Sequence, residues 1–182
     1  MDFAFTPEQD DLRAHLRTLL DQVCPAEYAE RCDNEAQPPR EAYEALGNRG
    51  WLGLIVPTEY GGGGGSPIEL AILLEETGRH FEELAMWVFR TITYGGYAVM
   101  QHGTPEQRAA FLPRVARGDI SVCFGLTEPQ SGSDAAALTT RARADDGGYV
   151  IDGRKIFTSG MDISDYCLLV TRTSTRAKKQ HG

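Results

Sequence analysis

The sequence of 182 residues has no long apolar run and no lysine among its first 119 residues. No stretch reaches the roughly 18 consecutive apolar residues that a membrane-spanning helix needs. The first residues do not show a basic region followed by an apolar one, so no secretory signal is visible. The sequence therefore predicts a cytoplasmic chain without a membrane span.

Residues that could hold a metal are few and scattered. The four histidines form no pair at ligand spacing, and the four cysteines show none of the short intervals typical of zinc sites. Cysteines without such spacing are most simply free thiols in a reducing compartment. The sequence predicts no metal site, and free thiols at Cys24, Cys32, Cys123 and Cys167.

Positive charge is also scarce, and it is unevenly distributed. The net charge is −8; residues 1–119 carry 10 Arg against 19 Asp and Glu, whereas residues 120–182 carry 8 Lys and Arg against 7 Asp and Glu. Nucleic-acid binding needs a basic face to neutralise phosphates. An acidic chain of this kind argues against nucleic acid as the main partner.

What is abundant in the first 119 residues is the signature of helix starts. Thr6-Pro7-Glu8-Gln9, Ser66-Pro67-Ile68-Glu69 and Thr104-Pro105-Glu106-Gln107 each combine a hydroxyl N-cap, a proline at the first helical position and a reciprocal partner three residues on. Apolar residues then recur at helical spacing. We predict an all-helical domain over residues 1–119, with helices at about 6–24, 40–49, 67–78, 82–101 and from 105 to Gly118.

Two apolar or glycine-rich stretches interrupt these helices. Residues 50–57 form an apolar run that suggests extended backbone. The five glycines Gly61 to Gly65 would suggest a flexible linker if they stood alone. Because they lead directly into the Ser66 cap, we expect a tight loop between helices.

After Gly118 the pattern changes to short strands. Residues 142–144 and 149–151 flank Asp145-Asp146-Gly147-Gly148, a typical hairpin signal. Residues 120–124, 155–158 and 166–171 also suggest strands, and the last residues, 173–182, are basic and polar without a pattern. We predict an antiparallel β domain over residues 120–182.

The loop from Phe124 to Asp134 follows the first of these strands. It is rich in hydroxyls, and Gly132 can adopt a positive φ and lets another molecule approach the backbone. Hydroxyls and successive N–H groups suit a phosphate or diphosphate. The alternative is an ordinary polar turn, in which Ser133 and Asp134 bond their own backbone.

Residues Gly125 to Ala137 resemble the signature of the acyl-CoA dehydrogenase flavoproteins at each fixed position: small, aliphatic, Ser/Thr, Glu, two free, small, Gly, Ser/Thr, Asp, two free, small. Four further phrases resemble that family in the expected order. They are Phe5 to Gln9, Val56 to Gly62, Gly103 to Gln107 with Leu112-Pro113, and Gly153 to Gly160.

The resemblance implies an α+β fold. An all-helical N-terminal domain would precede a middle domain like an antiparallel β-barrel, and a four-helix C-terminal domain would follow. This chain ends inside the middle domain, so we expect the middle sheet to be incomplete, the four-helix domain to be absent, and the chain to be an N-terminal fragment of a longer enzyme or a truncated reading frame.

The resemblance also implies FAD lying against the β domain. Thr127 would bond the pyrimidine end of the flavin, and Ser133 would bond the diphosphate or an acyl-CoA substrate beside it. The hydroxyl of Thr158 would lie near flavin N5, where a donor stabilises developing charge. The residues implied as cofactor contacts are Phe124, Leu126, Thr127, Gly132, Ser133, Ile156, Phe157 and Thr158. The alternative for Ile156 and Phe157 is that they are strand residues facing a core.

Two positions depart from the family pattern, and one role is missing. Many members have Trp where Ile156 stands and Gly where Gln130 stands, so flavin packing and the path of the loop can differ. The family's reaction needs a carboxylate base, which belongs to its C-terminal domain. We assign Glu128 a structural role and name no catalytic residue.

The resemblance implies an FAD-dependent acyl-CoA dehydrogenase that is inactive as this fragment. Its partners would be an acyl-CoA substrate and an electron-transfer flavoprotein or similar acceptor, and a full-length chain would form homo-oligomers. An acyl-CoA oxidase or a flavin monooxygenase of the same fold remains open. A non-catalytic remnant, or a piece that docks onto a partner through its exposed sheet edge, also remains open.

Overall fold

The computed structural model of the chain describes residues 4–174. The chain divides into two compact units, Met1–Val122 and Cys123–Gly182. The domain limits that the sequence suggests, 1–119 and 120–182, stay predictions, and the basic stretch 175–182 lies outside the described residues. Within residues 4–174, no helix combines the length and the apolar character needed to cross a membrane.

The first unit is helical and the second is built on short strands, as the sequence predicts. The helices are α1 (Pro7–Val23), α2 (Ala26–Asn34), α3 (Arg40–Asn48), α4 (Pro67–His80), α5 (Glu82–Phe89), α6 (Ala98–His102) and α7 (Pro105–Arg117). The strands are β1 (Val122–Gly125), β2 (Arg141–Asp145), β3 (Gly148–Asp152) and β4 (Tyr166–Leu169). Short 3₁₀ turns cover Trp51–Gly53, Thr58–Tyr60 and Ala135–Ala137.

The three predicted helix starts are confirmed. The side chains of Thr6, Ser66 and Thr104 each cap a helix. In each case the side chain three residues later accepts a hydrogen bond from the backbone N–H of the cap residue. Two of these caps are joined, because the Nε2 of Gln9 donates to Oε1 of Glu69 at 3.1 Å. The starts of α1 and α4 are therefore held together as well as capped.

A buried ionic cluster fastens α1 to α4. The side chain of Glu76 is completely buried and accepts from Nη1 of Arg13 at 3.0 Å and from Nη2 of Arg17 at 2.8 Å. A carboxylate taken out of water needs such partners, because an unpaired buried charge is strongly destabilising. Most other buried side chains of this unit are apolar, and Trp87 of α5 stacks on Tyr43 of α3 with ring centroids 4.3 Å apart.

The predicted helix over 82–101 is a continuous helical run, but it is not one regular α-helix. Between α5 and α6, residues Arg90–Tyr97 widen into a π-helical segment. Gly95 in this segment lies so close to Val122 that a Cβ there would be 2.5 Å from the valine Cγ2. Of the apolar residues expected inside, Leu84, Trp87, Val88 and Ile92 are buried, whereas Met86 is 38% exposed.

Two other parts of this unit differ from the sequence-based description. Residues 26–34 form the helix α2, which none of the predicted helices covers. Residues 50–57 are not extended; they form a short 3₁₀ turn and further turns. Their carbonyls accept hydrogen bonds from the following glycines, so tertiary contacts decide the backbone of this run.

The glycine run is a tight loop, as predicted. The N–H groups of Gly63, Gly64 and Gly65 donate to the carbonyls of Gly53, Val56 and Leu54 at 2.8–2.9 Å. Gly62 lies closest to this segment, since a Cβ there would be 2.1 Å from the oxygen of Val56. Glycine is needed because any side chain would meet this backbone.

The second unit contains two small sheets. β2 and β3 form the predicted antiparallel hairpin, with Arg141 opposite Asp152 and Asp145 opposite Gly148. β1 pairs with β4 in a separate two-stranded sheet, and the described residues form no closed barrel. Arg141, the first residue of β2, also forms an isolated parallel bridge with Arg172, so pairing in this unit is not purely antiparallel.

We expect Gly62→Ala to lower the free energy of unfolding by about 1–3 kcal/mol, the usual penalty for overpacking. Its Cβ would collide with the carbonyl oxygen of Val56. Urea denaturation followed by far-UV circular dichroism measures the change. The matched control is Gly78→Ala in α4, whose Cβ would make an ordinary 3.7 Å contact with Ala85. Alanine favours a helix over glycine by about 1 kcal/mol, so equal losses for both variants would contradict the argument.

Acid should weaken the joined caps of α1 and α4. Hydrogen bonds from the Ser66 hydroxyl and the Gln9 amide lower the pKa of Glu69 to about 2 from its ordinary 4.5. A depressed pKa stabilises the fold above the ordinary value, and this contribution is lost as the pH falls toward 2. We expect the free energy of unfolding to fall less steeply for Glu69→Gln than for the parent chain over this window. Parallel pH curves for the two proteins would refute the assignment.

Candidate functional site

The loop that follows β1 is folded around a small internal bridge. Glu128 and Ser131 exchange backbone hydrogen bonds at 2.9 and 3.1 Å, and the Ser131 hydroxyl donates to the carbonyl of Asp134 at 2.6 Å. In an ordinary turn, Ser133 and Asp134 were expected to bond their own backbone. In the structure it is the Ser131 side chain that bonds the backbone of this loop. Gly132 and Ser133 remain exposed at the tip of the loop.

The side chain of Glu128 points inward and is almost fully buried. Oε1 accepts from Lys155 Nζ and the Thr140 N–H, both at 2.9 Å. Oε2 accepts from the Thr139 N–H at 2.6 Å, the Thr139 hydroxyl at 2.9 Å and the Gln130 amide at 2.5 Å. Burial alone raises the pKa of Glu128, but the hydrogen bonds from Lys155, Thr140 and Thr139 outweigh it and hold that pKa well below its usual range. These contacts are consistent with the structural role expected for Glu128, because they tie its carboxylate to four other residues.

The segment after β3 is not the strand that the sequence suggests over residues 155–158. The Lys155 side chain is drawn inward, and the N–H of Ile156 donates to the carbonyl of Thr127 at 2.9 Å. Phe157 then adopts a φ of 57°, in the left-handed region that a strand excludes. The alternative that Phe157 faces a core is also wrong, since it is 87% exposed.

The expected cofactor contacts fall into two segments of this unit. Phe124, Leu126 and Thr127 are half-buried in and after β1, and Ile156 and Thr158 are half-buried in the second segment. The Thr127–Ile156 hydrogen bond brings the two segments together. Among residues 4–174, no hydrogen bond or ion pair joins Gly132 or Ser133 to the second segment. The expected positive φ of Gly132 is not found.

Two hydroxyls of the loop after β1 have no partner among the described residues. Within residues 4–174, the hydroxyls of Thr127 and Ser133 make no hydrogen bond. A Cβ added at Gly132 would meet no atom within 4 Å, so open space lies beside this backbone. Over the same residues, no three His, Cys, Asp or Glu side chains are grouped as metal ligands. The site therefore offers neutral hydroxyl donors and an exposed aromatic ring.

Three residues that fix this loop, Lys155, Thr139 and Thr140, are not among the site residues predicted from the sequence. The opposite charges of Lys155 and Glu128, one in each segment, are the signal that could have indicated their pairing. Gln130, which departs from the family pattern, reinforces the glutamate and also donates to the Thr139 hydroxyl at 2.8 Å. The four cysteines are free thiols, three buried and one half-buried.

Family models match both units. The model for the N-terminal domain of acyl-CoA dehydrogenases covers residues 6–119, and the model for the middle domain covers residues 123–182. A helical domain followed by a small β domain is the class of fold that the structure shows. The chain belongs to the acyl-CoA dehydrogenase family, whose members are FAD-dependent oxidoreductases.

Individual relatives agree with this placement. The chain is 35% identical to acyl-CoA dehydrogenase FadE26 of Mycobacterium tuberculosis over 100% of its own length and 47% of that protein. Among solved structures, the "Tcur3481-Tcur3483 steroid ACAD" is 38% identical with a TM-score of 0.84, covering 100% of this chain and 47% of that one. The ChsE4-ChsE5 complex of M. tuberculosis is 35% identical with a TM-score of 0.86, covering 100% and 46%. The chain thus spans about half the length of the curated relatives it matches.

The left-handed conformation of Phe157 should reveal itself in stability. A non-glycine residue in this region costs roughly 1–2 kcal/mol, and part of the relief is offset by the greater chain entropy of glycine. We expect the Phe157→Gly variant to be more stable than the Phe157→Ala variant, with a free energy of unfolding about 1 kcal/mol higher. At Tyr149, an exposed residue of β3, the order of the same two substitutions should reverse. The same order at both positions would refute strain at Phe157.

Proposed function

We propose that this chain carries the FAD-contacting part of an acyl-CoA dehydrogenase. The observation that carries the proposal is the pair of unpartnered hydroxyls, Thr127 and Ser133, on a loop that matches the family signature. A half-buried hydroxyl such as that of Thr127 normally finds a hydrogen-bond partner. The exposed hydroxyl of Ser133 lies beside the open backbone of Gly132, where a polar ligand can reach it. The donor set therefore fits FAD.

Both segments would contact the cofactor, each through different groups. Thr127 donates to the pyrimidine end of the flavin, and Ser133 donates to the diphosphate or to an acyl-CoA substrate beside it. Phe124, Leu126 and Gly132 line the first side. Ile156 and Phe157 pack along the flavin from the second segment, and Thr158 supplies a donor near N5.

When bound, FAD supplies the acceptor for the hydride removed from the β-carbon of an acyl thioester. The protein's contribution is to orient the ring with Thr127 and Thr158 and to exclude water with Ile156 and Phe157. We assign no catalytic base within this chain. The activity, the acyl-CoA substrate, an electron-transfer flavoprotein as acceptor and a homo-oligomeric assembly belong to the proposal for the whole protein, and the cytoplasmic location stays a prediction.

Binding of FAD by the 182-residue chain tests the proposal directly. We expect saturable quenching of flavin fluorescence. Loss of one neutral hydrogen bond is worth about 0.5–1.5 kcal/mol, so Thr127→Val and Thr158→Ala should each raise the Kd by about two- to tenfold. Ser133→Ala removes a bond to an anionic group, worth about 1.5–3 kcal/mol, and should raise the Kd by about tenfold or more.

The matched control is Ser164→Ala. The Ser164 hydroxyl is buried without a hydrogen-bond partner and lies outside both segments, so its removal should leave the Kd unchanged. The proposal is overturned for this chain if the folded protein shows no saturable quenching. It is also overturned if Ser164→Ala weakens FAD as much as the three site variants do.

A further inference from the structure

The second unit buries an ion pair whose members stand next to the two candidate segments in the chain. The side chain of Glu128 is 1% exposed and that of Lys155 is 9% exposed, with Nζ and Oε1 2.9 Å apart. Each partner has further contacts, because the glutamate receives five hydrogen bonds in all. A buried pair that is this well satisfied is tied to one geometry, since any displacement leaves a charge unpaired.

Lys155 also holds the backbone of the first segment. Its Nζ donates to the carbonyl of Leu126 at 2.9 Å, two residues before its carboxylate partner. The next residue, Ile156, bonds the carbonyl of Thr127. The Lys155 side chain and the Ile156 N–H therefore bind three successive residues, Leu126, Thr127 and Glu128.

The two members of the pair adjoin the residues that matter for the site. Glu128 directly follows Thr127, and Lys155 directly precedes Ile156, Phe157 and Thr158. The same carboxylate also fixes Thr139 and Thr140, where the chain returns from the loop tip. Three separate stretches of chain thus meet at one charge.

We propose that Glu128 and Lys155 form a positioning pair, which holds the two cofactor-contacting segments at a fixed distance from each other. The inference rests on the proposed function for its ligand. The placement of the two segments is a property of the protein alone, and it is measured without FAD.

The experiment compares Lys155→Met, Lys155→Arg and the double variant Glu128→Gln with Lys155→Met. Amide hydrogen exchange at Ile156 reports placement without ligand, flavin-fluorescence titration reports the Kd for FAD, and urea denaturation reports overall stability. Glu76→Gln is the matched control, because Glu76 is an equally buried, arginine-paired carboxylate of the helical unit.

We expect Lys155→Met to speed exchange at Ile156, because the two segments lose the lysine that joins them. The Kd for FAD should rise by about tenfold, the scale of loss seen when the residues that support directly binding groups are removed. Lys155→Arg should retain most of the slow exchange at Ile156 and most of the affinity for FAD. The double variant should recover stability, since no charge is left buried alone, while exchange at Ile156 stays fast and FAD stays weakly bound. Glu76→Gln should lower stability and leave both local measurements unchanged.

The proposal is overturned if folded Lys155→Met keeps parental exchange at Ile156 and parental affinity. It is overturned equally if the double variant recovers both, because the pair would then be a matter of stability alone, or if Glu76→Gln gives the same local losses. A parent chain that binds no FAD would sink the proposed function instead, and the exchange data would still decide whether the pair positions the two segments.

Discussion

A buried negative charge is the constraint around which the middle unit is ordered. Among its described residues, the buried apolar side chains are the small Cys123 and Ala142, so close packing contributes little to its order. The carboxylate of Glu128 must instead find donors, because a lone buried charge is far less stable than a solvated one. Lysine, amide, hydroxyl and backbone groups from three stretches of chain converge on it. The unit therefore depends on directional polar contacts.

The helical unit is stabilised in a different way. Its interior is formed by large apolar side chains, including Leu16, Leu73 and Trp87, which stabilise through burial and close packing. Burial of this kind is insensitive to direction, and it tolerates irregular backbone such as the π-helical segment. One ionic cluster around Glu76 resembles that of Glu128, but it fastens two helices that an apolar core already holds.

Features decided by neighbouring residues were predictable from the sequence. The three capping boxes and the β2–β3 hairpin follow from short-range rules, and the structure confirms them. Features decided by distant partners were not predictable. Residues 50–57 look extended until the glycine run folds back on them, and residues 155–158 look like a strand until Lys155 is drawn to Glu128. The signature located the loop of the site, but no local pattern pairs a glutamate with a lysine 27 residues away.

The places where local rules fail in the middle unit coincide with the proposed site. Phe157 is exposed and left-handed, the half-buried Thr127 keeps an unpaired hydroxyl, and the next residue, Glu128, buries a charge. Each feature is unfavourable for an isolated fold, and such violations concentrate where a protein binds or reacts. They are features of backbone angle, exposure and hydrogen bonding, and they do not depend on the family signature. That they fall on the same two segments is a second, physical reason to place the ligand there.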